Sequence, residues 1–231
     1  MSFKASESLS EQIAQHLGQQ IIMGDLVEGE RIQELRIAKE LNVSRGSVRE
    51  ALLILERRRL IAIYPRRGAV VAEISSQHVR SLYEVVSMML QVVCRKAAEN
   101  WRQSEMEQFI SQIQKLQSYM DEHDIEAFHE GTFELFRMAY RFANNTYIEE
   151  ILEDLQPAVR RSYYLALHAD RRELEEAFSF LKGVVDSVLL RKSDQAASLV
   201  EEFCIHQRNL VLDSLMRVKQ IELAWAQRSR R

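Results

Sequence analysis

Only two prolines and seven glycines interrupt 231 residues. So few backbone breakers argue against a many-turned β fold and favour long helices. Cysteine is as scarce: Cys94 and Cys204 stand alone, neither in a CxxC pair. No disulfide framework follows from them, and the usage fits a reduced cytoplasm. No run of about 18 uncharged apolar residues occurs, which excludes a membrane-spanning helix. The opening MSFKASESLSEQ lacks the apolar run of a signal peptide. Neither a Ser/His/Asp or Cys/His arrangement nor a P-loop is present, so nothing points to an enzyme, and no cofactor is expected. What remains is a chain with 46% apolar residues, enough to build a core, and 28% charged residues.

The net charge of −3 hides an uneven distribution. Between Arg31 and Arg67 lie ten Lys/Arg and four Glu, a surplus of six positive charges. The rest of the chain is correspondingly acidic. A basic block on an acidic chain suggests a local surface for a polyanion, although a solvated charged face would read the same way.

Ser8 to Met23 carries Leu9, Ile13, Leu17, Ile21 and Ile22 at helical spacing, and Gly24 ends it. Ile32, Leu35, Ile37, Ala38 and Leu41 predict a second, short helix. Asn42-Val43 is a turn, and Ser44 caps a third helix from Arg45 to Arg58. Leu60–Tyr64 and Ala69–Ala72 read as two strands joined by the turn Pro65-Arg66-Arg67-Gly68. Beyond Ser76 no strand signal is evident. Ser76 is expected to cap a helix to Glu99, and Ser104-Glu105-Met106-Glu107 to open another, to Asp121, with a capping box. Further helices are expected over 124–143, 146–166, 171–191 and 194–225, with turns at Asn144-Asn145 and Ala169-Asp170. The fold class is therefore mainly α: residues 1–74 a winged helix-turn-helix with a small hairpin wing, and residues 75–231 an antiparallel bundle of six or seven helices.

The end of a recognition helix that enters the major groove can place arginines on guanine edges. The run GERIQELRIAKELNVSRGSVREALLILERRRLIAIYPRRGAVVAEI resembles the DNA-binding domain of the GntR family of bacterial regulators. The resemblance implies DNA contacts by Ser44, Arg45, Ser47 and Arg49 on the turn and recognition helix, and by Arg66, Arg67 and Gly68 in the wing. A further family contact, an arginine of the second helix, falls on Leu35, with Arg36 beside it. Arg59 stands where the family has glycine. The competing role for Arg49 is a structural ion pair with Glu50 or Glu56. Arg57, Arg58 and Arg59 are expected on phosphate or solvent.

The segments LYEVVSMMLQVVCRKAAE, FHEGTFELFRMAYRFANNTYIEEIL and SDQAASLVEEFCIHQRNLV resemble the FadR-like branch of that family. Many of its members hold a divalent metal in the bundle through one Asp and three His. Here Thr132 and Phe136 fall at the Asp and the first His, Leu181–Gly183 offer no His, and only His206 falls near a ligand position. Two further pocket positions become Val86 and Leu90, and His129 is expected to face outward. With Met88, Met89, Phe133, Phe136, Phe178 and Phe180, the interior is expected to be apolar. It is either a filled core or a pocket for a largely apolar effector anchored by His206, Arg160 or Tyr163, with no metal site. Cys94 and Cys204 are expected to be inert core thiols.

The resulting expectation is a homodimeric, effector-responsive repressor that binds double-stranded DNA at a pseudo-palindromic operator. Two alternatives stay open: a metal-dependent sensor of a small carboxylate, and a helical dimerising DNA-binding protein with no effector.

Overall fold

The computed structural model describes residues 8–169 and 172–228. Asp170, of the expected Ala169-Asp170 turn, lies outside them. By Cα proximity the chain divides into two units. The first ends at Ile74 and also includes Gln156–Arg161; the second comprises Ser75–Leu155 and the chain from Ser162 on.

In the first unit, α1 (Leu9–Met23) is capped by the Ser8 hydroxyl, which accepts from the Glu11 N–H at 3.1 Å, and stopped by Gly24 at φ 87°. The stop needs a left-handed residue, which glycine supplies without strain. β1 (Arg31–Ile32) precedes α2 (Glu34–Glu40), and α3 (Arg45–Arg57) follows. β2 (Ile61–Tyr64) and β3 (Gly68–Val71) form the hairpin, with Ile61 opposite Val71 and Tyr64 opposite Gly68. β1 adds to the far side of β3, giving an antiparallel sheet of order β1-β3-β2.

The expectation for the stretch around Ile32 needs correcting. Ile32 pairs with Ala69 instead of starting a helix, and α2 begins two residues later. Its aliphatic side chain is buried, as are Ile13, Leu17, Ile21, Val48, Leu52, Leu55, Leu60 and Val71, which together form this unit's core. Removing such surface from water supplies roughly 1.5–3 kcal/mol per large aliphatic residue. α1 and α3 pack so closely at Gly18 that an added Cβ would lie 3.4 Å from Leu55 and Leu60.

In the second unit, α4 (Ser76–Asn100), α5 (Gln103–Asp121), α6 (Ile125–Tyr140), α7 (Thr146–Leu167), α8 (Glu173–Leu189) and α9 (Ser193–Arg228) are joined by short connections. No strand occurs among the described residues of this unit. Ser75, not Ser76, caps α4, its hydroxyl accepting from the His78 N–H at 3.2 Å. The box expected at Ser104 lies two residues earlier: the Glu105 carboxylate accepts from the Arg102 N–H at 2.7 Å. Asp124 and Asn145 cap α6 and α7. Val79, Val93, Leu116, Phe128, Leu174, Leu181 and Val211 lie in the buried interior. No helix among the described residues is long and apolar enough to cross a membrane.

Candidate nucleic-acid interface and bundle interior

The start of α3, the helix expected to read DNA, is fixed by its first turn. Ser44 is extended (φ −70°, ψ 148°), and its hydroxyl accepts from the Ser47 N–H at 3.0 Å. The two hydroxyls also meet at 2.9 Å. Ser44 thus satisfies one N-terminal amide of α3, and the positive end of the helix dipole at this cap is a natural place for phosphate. Arg45 begins this turn and Arg49 follows one turn later on the same side, and both are mostly exposed.

Both arginines reach one acid that sequence reasoning missed. The Glu34 carboxylate, at the start of α2, lies 3.2 Å from Arg49 Nη2 and 3.8 Å from Arg45 Nη2. Glu50 and Glu56, the partners considered for Arg49, are engaged elsewhere. Glu50 accepts from the Ser10 hydroxyl at 2.6 Å, and Glu56 accepts from the Ile63 N–H at 2.9 Å. Periodicity could not reveal Glu34, because the contact joins two helices fifteen residues apart in sequence. Arg36 is turned to Glu40 at 3.5 Å and Glu30 at 3.9 Å, while Leu35 is exposed. Arg58 also departs from expectation, pairing with Glu11.

In the wing, Arg66 and Gly68 both have positive φ, 65° and 81°. Arg67 lies over the Tyr64 ring at 5.7 Å, a cation–π contact that holds the guanidinium near the tip. Arg31, from β1, flanks Gly68, so the sheet adds a basic residue to the wing. Arg59 takes φ 59°, so its backbone adopts the conformation that glycine favours.

Inside the second unit, Val86, Leu90, Thr132 and Tyr163 are buried. Phe136 and Tyr163 are linked through Phe133 and Phe203, with ring centroids 5.9–6.5 Å apart. Phe180 carries the cluster on to His206 at 5.6 Å. The Thr132 hydroxyl donates to the Phe128 carbonyl at 2.9 Å. Burial drives the Tyr163 hydroxyl far above its ordinary range; Thr132 is near it, yet among the described residues no well-formed hydrogen bond satisfies it. Arg160 is buried, which lowers its guanidinium to about 10, and it falls in the segment grouped with the first unit. An apolar cavity of about 40 Å³ is lined by Cys94, Phe109, Leu135, Phe136, Leu181 and Val185, among others. Of the expected pocket residues, it touches only Phe136.

Three expectations are corrected. His129 is buried, not outward, and stacks on Tyr163 at 5.7 Å. Met88 is exposed. The interior is also not uniformly apolar: Glu173 is only 2% exposed, its carboxylate accepting from Gln207 Nε2 at 2.7 Å and meeting His206 Nε2 at 3.0 Å. Desolvation pushes the Glu173 carboxyl up, against the hydrogen bonds from Gln207 and His206. Both thiols are buried and pushed up to about 12 by that burial. As for the four-ligand metal set, Thr132 already gives its hydroxyl proton to a carbonyl and Phe136 has no donor atom, so those positions do not fit an ion.

The model of "Bacterial regulatory proteins, gntR family" matches residues 9–71, and that of the FCD domain matches residues 81–204. The gluconate operon transcriptional repressor of Bacillus licheniformis is 26% identical over 170 residues, covering 72% of this chain and 68% of the relative. The HTH-type transcriptional repressor RspR of Escherichia coli is 25% identical over 161 residues, covering 70% and 71%. Among solved structures, E. coli McbR/YncC superposes with a TM-score of 0.79 at 19% identity, covering 91% of this chain and all of that one. A transcriptional regulator of Rhodococcus sp. RHA1 gives 0.73 at 19% identity, covering 90% and 99%.

Proposed function

The chain belongs to the GntR family of bacterial regulators, with an FCD domain as its helical part, and from that premise we propose that it is a homodimeric, effector-responsive repressor of a pseudo-palindromic operator. It is a transcription regulator and not an enzyme. Arg45 and Arg49 read bases in the major groove, where a bidentate arginine–guanine pair discriminates by about 1–3 kcal/mol. Ser44 and Ser47 set the helix start against phosphate. Arg66 and Arg67 hold the wing on the backbone, with Gly68 allowing close approach, and Arg36, on α2, exchanges its pairs with Glu30 and Glu40 for phosphate. The observation that carries this reading is the pair of exposed arginines, one turn apart, at the capped start of α3.

Dimerisation follows from the size of the reading head. One short helix offers few base contacts, and a two-fold pair on inverted half-sites doubles them. The helical domain would build the dimer and receive the effector. The aromatic cluster of Phe133, Phe136, Tyr163 and Phe203, with Val86, Leu90 and Thr132 on the same interior, favours a largely apolar body, and His206 supplies a polar anchor. Repression agrees with the repressor names of the two curated relatives. The work would be done in the cytoplasm, where its DNA is.

The test is selection of bound fragments from the source genome, followed by titration of the recovered site. Arg49→Ala and Arg45→Ala should each lose about 1–3 kcal/mol on that site and relax base preference. Arg67→Ala should weaken all DNA equally and lower the salt slope by about one. Unchanged binding in both α3 variants would remove the assignment.

A further inference from the structure

We propose that Glu173, Glu176 and His206 form a binding site for a divalent transition-metal ion, built by the first turn of α8 and by α9. It rests on the second unit alone and not on the DNA-binding reading. Glu173 and Glu176, three residues apart, share one face of α8. His206 Nε2 lies 3.0 Å from one Glu173 oxygen and 3.5 Å from one Glu176 oxygen. The three potential ligand atoms all lie within 4.8 Å of one another. A tetrahedral ion about 2.0–2.2 Å from each ligand would hold them roughly 3.3–3.6 Å apart. The side chains are therefore close to ligating positions before any ion binds.

The surroundings favour a cation. Two carboxylates share one imidazole, and Glu173 is almost wholly removed from water. Gln207, 1% exposed, donates its Nε2–H to the second Glu173 oxygen, as outer-shell partners orient metal-bound carboxylates. Its Oε1, on the same amide carbon, has no hydrogen-bond partner among the described residues. Phe180 packs against the imidazole. One nitrogen and two oxygens suit Zn²⁺, Mn²⁺, Co²⁺ or Ni²⁺ rather than a soft ion. The ion takes the Nε2 lone pair, so a neutral imidazole carries its one proton on Nδ1 and an imidazolium releases its Nε2 proton to solvent, and a fourth position is left for water or an effector oxygen.

This is not the ligand set of the metal-binding relatives. It shares His206 with that set but uses neither Thr132, Phe136 nor residues 181–183. Glu176 lies seven residues before Gly183 on α8, about two turns or roughly 10 Å along the axis.

The experiment uses the full chain without DNA. Protein stripped with chelator is titrated with Zn²⁺, Mn²⁺ and Ni²⁺ by calorimetry, then analysed for metal after dialysis. At least one of these ions should bind at one per chain and raise the melting temperature. Glu176→Gln, on the rim, should lose at least tenfold in affinity while folding normally, and His206→Ala and Glu173→Gln should lose more. Glu175→Gln, exposed on the same turn, should bind as the parent does. Absence of stoichiometric binding for all three ions would overturn the proposal. So would parental affinity in Glu176→Gln and His206→Ala.

Discussion

Glu34 is where the structure makes a demand that the sequence did not. Its carboxylate touches the two arginines expected to read bases, at 3.2 and 3.8 Å. Consider Glu34→Gln, which keeps the shape and removes the charge. Both arginines are largely exposed, so their pairs with Glu34 contribute only about 0–1 kcal/mol to folding. The melting temperature should therefore hardly move. The effect on DNA has two parts of opposite sign. Removing an anion from a face that meets phosphates strengthens binding to any duplex. Releasing Arg45 and Arg49 from a common anchor costs order when they must align on bases, about 0.5–1.5 kcal/mol per immobilised side chain. With both arginines released, about 1–3 kcal/mol in all, the ratio of operator to scrambled-duplex affinity should then fall by roughly fivefold or more, while the scrambled-duplex affinity itself rises. Fluorescence anisotropy titrations on both duplexes, at two salt concentrations, measure both quantities. A ratio within twofold of the parent's, with unchanged affinity for scrambled DNA, would show that Glu34 neither orders the arginines nor faces the DNA.

Other outcomes follow from single residues. Arg59 holds a left-handed backbone just before β2; Arg59→Gly should leave stability unchanged or raise it by up to about 1 kcal/mol in urea melts, and a loss greater than that would contradict the strain argument. Burial raises both thiols to about 12, so at pH 8 Cys94 and Cys204 should resist iodoacetamide until the chain unfolds, and labelling of native protein on the timescale of a free thiol would contradict their burial. The sign of the linkage follows: both are acids with folded values above their unfolded value of about 8.5, so their contribution to stability is intact below that value. It is lost progressively as pH rises from there towards 12.

The parts legible in the sequence were those governed by local rules. The face of α1, the Ser44 cap, the body of α3 and the hairpin around Gly68 each carry their signal within a few residues. β1 did not, because two residues cannot show an alternation and its pairing with β3 lies almost forty residues away. The choice of Ser75 over Ser76 as cap, and of Arg102 over Ser104, depends on backbone angles that neighbouring residues do not announce. The bundle interior was harder still. Met88 out and His129 in are errors of helical phase, where one position in a turn decides between core and solvent. Glu173 lies in a run with Glu175 and Glu176, and only the packing of α9 against α8 separates the buried acid from the exposed ones.

The central claim is that two copies of this chain read one operator through α3. It is tested most directly by the mass of the complex, measured by analytical ultracentrifugation on the DNA fragment selected from the genome, together with a footprint of that fragment. Two chains per duplex over inverted half-sites are expected, with loss of the footprint in the Arg45→Ala/Arg49→Ala double variant while the variant stays folded and dimeric. A single chain per duplex over an asymmetric site, or a footprint that survives without both arginines, would contradict it.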